Sequence, residues 1–174
     1  HAYKDFQKAR SCYQKAIQIH PNYADAHNNL GLILKELGER KKARSCYEKA
    51  IEIQPNFAQA HNNLGLVFYV VGEFQKARSS YEKAIEIQPN FVHAHNNLGI
   101  TLKELGEYKK AISCFQKTIQ IQPNYVGAYF NLGNVLQELG EYQKAKSYYE
   151  KAIEINPNFS SANLNLGVVF EELG

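Results

Sequence analysis

The apolar residues of this chain recur in two kinds of segment, each with a helical period. Ala26, Leu30, Ile33, Leu34 and Leu37 follow one another at three- and four-residue steps, a stripe along one side of a helix. After Gly38 a second stripe runs through Ala43, Tyr47, Ala50, Ile51 and Ile53. Pro21 and Pro55 bound this pair of segments, because proline drives the residue before it out of the helical region. Asn22 is placed to cap the earlier helix, here called A. Gly38 ends helix A, and Glu39 opens the later helix, B, with a negative charge where the helix dipole favours it. Gly31 and Ala43 carry no bulk where the two helices meet, and Tyr47 is expected to fill the wider gap towards the next pair.

The pattern repeats. The five prolines, at 21, 55, 89, 123 and 157, stand 34 residues apart, and each is followed by Asn and then an aromatic residue. Gly31, Gly65, Gly99, Gly133 and Gly167 keep the same step, as do Gly38, Gly72, Gly106, Gly140 and Gly174. One helix pair cannot bury both of its faces alone, so neighbouring pairs must stack, and the expected fold is an all-α solenoid. Complete repeats are expected at 24–57, 58–91, 92–125 and 126–159, with half repeats at 1–23 and 160–174, the whole forming one solenoid over 1–174.

A strict 34-residue period with Leu30-Gly31, Leu34, Gly38, Ala43, Tyr47, Ala50 and Pro55 resembles the tetratricopeptide-repeat (TPR) family over the entire chain. The family's leading Trp is replaced by His27, His61, His95, Tyr129 and Asn163. The resemblance implies a right-handed superhelix of antiparallel helix pairs whose concave face, lined by A helices, binds protein or extended peptide. It implies an interaction scaffold without catalysis.

On the A helices the family's groove positions fall on several columns. Asn29, Asn63, Asn97, Asn131 and Asn165 occupy one without exception. Asparagine inside a helix costs about 0.6 kcal/mol against alanine, while its carboxamide offers the donor and acceptor that match a peptide unit. Similar asparagine ladders line the superhelical array of O-linked N-acetylglucosamine transferase, which implies the same grip on polypeptide backbone here. Duplication or consensus design of near-identical repeats would also copy the residue, and both readings stand. The neighbouring column is Asn28, Asn62 and Asn96, then Phe130 and Leu164, with Asn134 nearby; Lys35, Tyr69, Lys103 and Gln137 form a third column. Phe130 either offers an apolar contact to a ligand or packs on an adjacent helix. The basic clamp with which chaperone co-factors of this family hold a C-terminal carboxylate is missing, because its columns hold Asn28, Asn62, Asn96, Asp25, Gln59, His93 and Gly127.

Composition narrows the alternatives. Apolar residues make up 44% and charged residues 21% of the chain, the balance of a folded domain. The net charge of +3 is spread along the chain, which argues against nucleic acid or an anionic membrane as partner. No apolar run is long enough to span a bilayer. Cys12, Cys46 and Cys114 form no CxxC pair; they read as packing thiols in a reducing, cytoplasmic compartment. His27, His61 and His95 lie one repeat apart, roughly 10 Å, too far to share a metal, so no metal or other cofactor is expected. The acidic residues Glu39, Glu73, Glu107 and Glu141 are explained by helix starts, and no catalytic group stands out.

Two further functions compete with the scaffold: a substrate-recognition arm of a larger enzyme such as a glycosyltransferase, and a module that assembles end to end. The latter expects uncovered apolar faces at Phe6, Ala9, Tyr13, Ala16 and Ile17 and at Leu166, Val169, Phe170 and Leu173, joined in weak head-to-tail association.

Overall fold

The computed structural model describes residues 2–174, with side chains from Asp5 onward. Among these residues every regular element is helical: α1 (Ala2–Ile19), α2 (Ala24–Glu36), α3 (Arg40–Ile53), α4 (Ala58–Val70), α5 (Phe74–Ile87), α6 (Val92–Glu104), α7 (Tyr108–Ile121), α8 (Val126–Glu138), α9 (Tyr142–Ile155) and α10 (Ser160–Leu173). The fold is all-α and of the helix-pair solenoid class. It comprises two compact units, one running to Pro89 and holding α1–α5, the other running from Asn90 to Gly174 and holding α6–α10.

Two turn types explain where the helices stop. After helix A the chain turns through a glycine with positive φ, 78° at Gly38. There the N–H of Gly38 donates to the Lys35 carbonyl at 3.0 Å and that of Glu39 to the Leu34 carbonyl at 2.8 Å, the two bonds that close a helix C-terminus. After helix B, Pro21 cannot extend the helix, and the N–H of Tyr23 closes a turn onto the His20 carbonyl at 3.2 Å. The expected Asn22 cap is not formed: Tyr23 occupies the cap position of α2, and no side chain bonds the first turn. The turn is secured from the other side. His27 Nε2 donates to the Pro21 carbonyl at 2.9 Å and His61 Nε2 to the Pro55 carbonyl at 2.9 Å. In the second unit the Tyr129 hydroxyl donates to the Pro123 carbonyl at 2.9 Å. At His27, His61 and Tyr129 a ring with a polar tip thus reaches the carbonyl six residues earlier, whereas Asn163 of the same column donates to the Phe159 carbonyl at 3.2 Å.

Each helix pair is closed by one large ring on one bare backbone. Tyr47 is fully buried against Gly31, and a Cβ on Gly31 would lie 2.5 Å from the ring. The same packing holds for Tyr81 on Gly65, Phe115 on Gly99 and Tyr149 on Gly133. The ring thus packs chiefly inside its own pair, while at Tyr149 its hydroxyl tip reaches Asn165 of the next A helix at 3.3 Å. Neighbouring pairs within a unit meet through other contacts. The Arg44 guanidinium of α3 lies 4.9 Å from the Phe68 ring centre of α4, and the Lys146 ammonium of α9 lies 4.8 Å from that of Phe170 on α10. Such cation–π pairs contribute about 0.5–1 kcal/mol at exposed sites.

Candidate functional site

The asparagines expected to form a ladder bond not to one another but to carboxamides at neighbouring positions, within each unit. In the first unit Asn63 Nδ2 on α4 donates to Asn28 Oδ1 on α2 at 2.9 Å, and Asn28 Nδ2 donates to Asn29 Oδ1 at 3.3 Å. Asn63 Oδ1 also accepts from Gln59 at 3.2 Å. In the second unit Asn131 Nδ2 on α8 donates to Asn96 Oδ1 on α6 at 3.1 Å, and Asn165 Nδ2 on α10 donates to Asn134 Oδ1 on α8 at 2.9 Å. The two amide columns are therefore coupled: a carboxamide of one A helix donates to that of the A helix before it.

Burial divides the set. Asn28, Asn62, Asn63 and Asn96 are buried, whereas Asn29, Asn97, Asn131, Asn134 and Asn165 are half-buried. A carboxamide has two N–H donors and two acceptor positions on its oxygen. The half-buried members keep spare capacity towards solvent, and Asn63, at 6% exposure, turns its amide inward.

The remaining candidate columns are largely engaged inside the protein. Phe130 packs edge-on to Phe159 with ring centres 5.0 Å apart and lies 5.9 Å from the Tyr149 ring, beside the Tyr129–Ala152–Ala162 core. The apolar column thus serves core packing at Phe130, while Leu164, 70% exposed, faces solvent. Lys35 pairs with Glu36 at 3.0 Å, and Lys103 bridges from α6 to Glu138 of α8 at 3.1 Å. Burial works against the charge on Lys103, but Glu138 and Glu104 outweigh it and hold the ammonium above its usual pKa. Tyr69 stacks on Phe74 with ring centres 5.5 Å apart. The Tyr149 hydroxyl lies 2.8 Å from Asn134 Oδ1 and 2.7 Å from Gln137 Oε1, sharing its proton between them, and accepts from Asn165 Nδ2 at 3.3 Å. Burial pushes this phenol up, and the bond from Asn165 partly opposes it.

Two cavities occupy the same place in the two units, between the C-terminal ends of successive A helices. That of the second unit, about 310 Å³, is lined by Asn134, Gln137, Glu138, Tyr142, Asn165 and Glu172. That of the first, about 280 Å³, is lined by Lys35, Glu36, Arg40, Leu66, Val67 and Val70. Sequence reasoning reached Asn134, Lys35 and Gln137 but missed Arg40, Leu66 and Val70. The signal was available. Val70 stands where Glu36, Glu104, Glu138 and Glu172 stand in the other repeats, and Arg40 stands where Phe74, Tyr108 and Tyr142 stand.

The thiols are unbridged: Cys46 is half-buried, and burial raises its pKa, while Cys12 is exposed and so is not the packing residue expected of its column. Among the described residues no group of His, Cys, Asp and Glu side chains could hold a metal, and no helix is long and apolar enough to cross a membrane.

Models of the tetratricopeptide repeat match residues 56–124 and 90–158, residues 24–57 and residues 148–174, and a TPR repeat model matches residues 2–38. The chain belongs to the tetratricopeptide-repeat family. No curated protein matches this TPR chain in sequence. Among solved structures, MamA is similar at 27% identity and a TM-score of 0.80, with 91% of this chain and 92% of that one covered. YrrB, described as a TPR protein with an unusual peptide-binding site, is similar at 26% identity and a TM-score of 0.77, with 91% and 82% covered. PilF of Pseudomonas aeruginosa, at 24% identity, a TM-score of 0.86 and coverage of 97% and 78%, shares the fold.

Proposed function

We propose that this TPR chain is a protein-interaction scaffold that holds an extended peptide along the asparagine-bearing faces of its A helices. The coupled amide rows carry the reading. Within each row the internal bonds set the orientation of the carboxamides, so the half-buried Asn29, Asn131 and Asn165 present pre-oriented donors and acceptors. Successive repeats lie about 10 Å apart, so one repeat spans about three residues of extended peptide. A peptide-binding site in YrrB, a protein of similar fold, supports the same use. The unbridged thiols support a reducing, cytoplasmic setting.

The test is affinity selection of random dodecapeptides on the intact chain, followed by titration of selected peptides. Combined Asn29→Ala, Asn131→Ala and Asn165→Ala substitution is expected to weaken binding about five-fold per lost hydrogen bond, or roughly 1 kcal/mol each. N-methylation of the peptide backbone should weaken it similarly. Unchanged affinity on both counts would show that the ladder is only a duplicated repeat residue.

A second reading rests on α10. Leu164, Val168 and Phe170 are exposed there, whereas Val169 is buried and Leu166 half-buried, so the uncovered face is narrower than the sequence implied. On α1 the side chains of Phe6, Ala9, Tyr13, Ala16 and Ile17 are half-buried. We propose that these faces support weak head-to-tail association of this 174-residue chain. Phe170→Glu is expected to abolish concentration-dependent sedimentation while leaving helicity unchanged; self-association that survives the substitution would refute this contact.

A further inference from the structure

We propose that the cavity between α2, α3 and α4 is a side-chain pocket that takes a bulky aliphatic residue of the bound peptide next to a carboxylate. The inference rests on the peptide-binding reading above and adds to it a sequence preference that an asparagine row cannot supply.

The other repeats serve as internal controls. In the second unit Lys103 of one A helix reaches Glu138 of the next at 3.1 Å, a bridge across the site. The residues at those places in the first unit are Lys35 and Val70. A valine cannot accept that bond, so Lys35 turns back onto Glu36 of its own helix at 3.0 Å. The space between Lys35 and Val70, about 280 Å³, is just below the usual size of a small-molecule pocket and suited to one side chain; the second-unit cavity of about 310 Å³ is open too, but Glu138 and Glu172 line it. Leu66, Val67 and Val70 form its apolar floor, and Val70 is 50% exposed with nothing over it in this chain.

The rim supplies the charge preference. Arg40 replaces the aromatic residue that opens the other B helices, and no carboxylate among the described residues pairs with it. An arginine beside an apolar floor favours a ligand carboxylate, held by charge-assisted hydrogen bonds. Lys35 and Glu36 pair at the same rim and offset each other, so the net positive charge there is that of Arg40.

A buried hydroxyl distinguishes the same helix pair. Tyr149, the counterpart of Tyr47, is tied by Asn134, Gln137 and Asn165, all of which line the cavity of the second unit. Tyr47 lies on Gly31 as Tyr149 lies on Gly133, at the same 2.5 Å from a Cβ built there. Leu32 and Lys35 replace Asn134 and Gln137, and Asn63, the counterpart of Asn165, is bonded to Asn28 and Gln59. The Tyr47 hydroxyl is left buried without a partner in the helix pair that carries Lys35, Glu36 and Arg40. A buried polar group with no partner in the protein calls for one from outside it, and a peptide carbonyl or a bridging water fits.

Three dodecapeptides of Ser, Gly and Ala test the proposal on the intact chain: one with a central Leu-Glu pair, one with Leu-Gln and one with Ala-Ala. Leu-Glu is expected to bind about ten-fold tighter than Ala-Ala. Val70→Glu, which restores the residue of the other repeats, should erase that preference while binding of the Ala-Ala peptide persists. Arg40→Gln should erase the difference between Leu-Glu and Leu-Gln alone. Both substitutions fall on exposed residues, so folding is expected to hold. Equal binding of all three peptides, or a preference that survives Val70→Glu, overturns the pocket and leaves the asparagine reading intact. Failure of every peptide to bind overturns both.

Discussion

Replacing Gly65 by leucine is expected to destabilise the first unit by roughly 1–3 kcal/mol or more, through overpacking. A Cβ at Gly65 would lie 2.7 Å from Cε1 and 2.9 Å from Cδ1 of Tyr81, before the rest of a leucine is added. The ring has no room to retreat, being 1% exposed with Ala77 and Ala84 buried beside it on α5. The helix pair must open or the ring must leave its site, and either exposes the face on which the next pair stacks. In a repeat array each pair is stabilised by its neighbours, so local opening spreads. Lys76→Ala is the matched control on the same helix pair. That side chain is exposed, pairs with Glu73, and lies 5.6 Å from the Phe68 ring centre. Its loss removes only exposed contacts and should shift stability by no more than about 1 kcal/mol. Urea titrations followed by far-ultraviolet circular dichroism would separate the two variants. Equal midpoints would show that Gly65 does not carry the packing assigned to it.

The fold was readable in the sequence because its determinants are local and repeated. Proline, glycine and a 3.6-residue stripe act over a few residues, and the 34-residue period reproduces them often enough to exclude chance. Where a role depended on a partner in another helix, reading by column fell short. Tyr47 has the size for a gap between pairs, but its place was decided by the absence of a Cβ at Gly31, across the pair. Asn22 has the chemistry of a cap, yet the turn is tied by His27 to the Pro21 carbonyl, six residues back. The asparagines were recognisable as one column, but the bond from Asn63 to Asn28 joins two different columns on two helices. Column reading averages over repeats, and it therefore also passed over the departures at Arg40 and Val70 that give the first-unit cavity its basic rim and apolar floor.

The column's members are accordingly expected to respond differently to one substitution. Asn63→Ala should cost roughly 1 kcal/mol or more of stability, although alanine is the better helix former by about 0.6 kcal/mol. From propensity alone the same variant would hold or gain stability, and the structure reverses that expectation. Asn63 is 6% exposed, and its amide donates to Asn28 Oδ1 at 2.9 Å, itself on a residue only 3% exposed. Truncation leaves that oxygen without its donor in a site closed to water, a penalty of about 1–3 kcal/mol that exceeds the gain in propensity. Asn29 is the contrasting case in the same unit. It is half-buried and accepts a long bond, 3.3 Å, from Asn28. Asn29→Ala should therefore change stability by no more than about 0.5 kcal/mol. A double-mutant cycle isolates the effect: Asn28→Ala with Asn63→Ala should cost less than the sum of the single changes, since the second substitution removes the acceptor that the first left unpaired. Strict additivity would mean that the two amides do not depend on each other. Such coupling would give Asn63 the role of orienting its neighbours from within, and would leave the proposed peptide contacts to the half-buried members of its column.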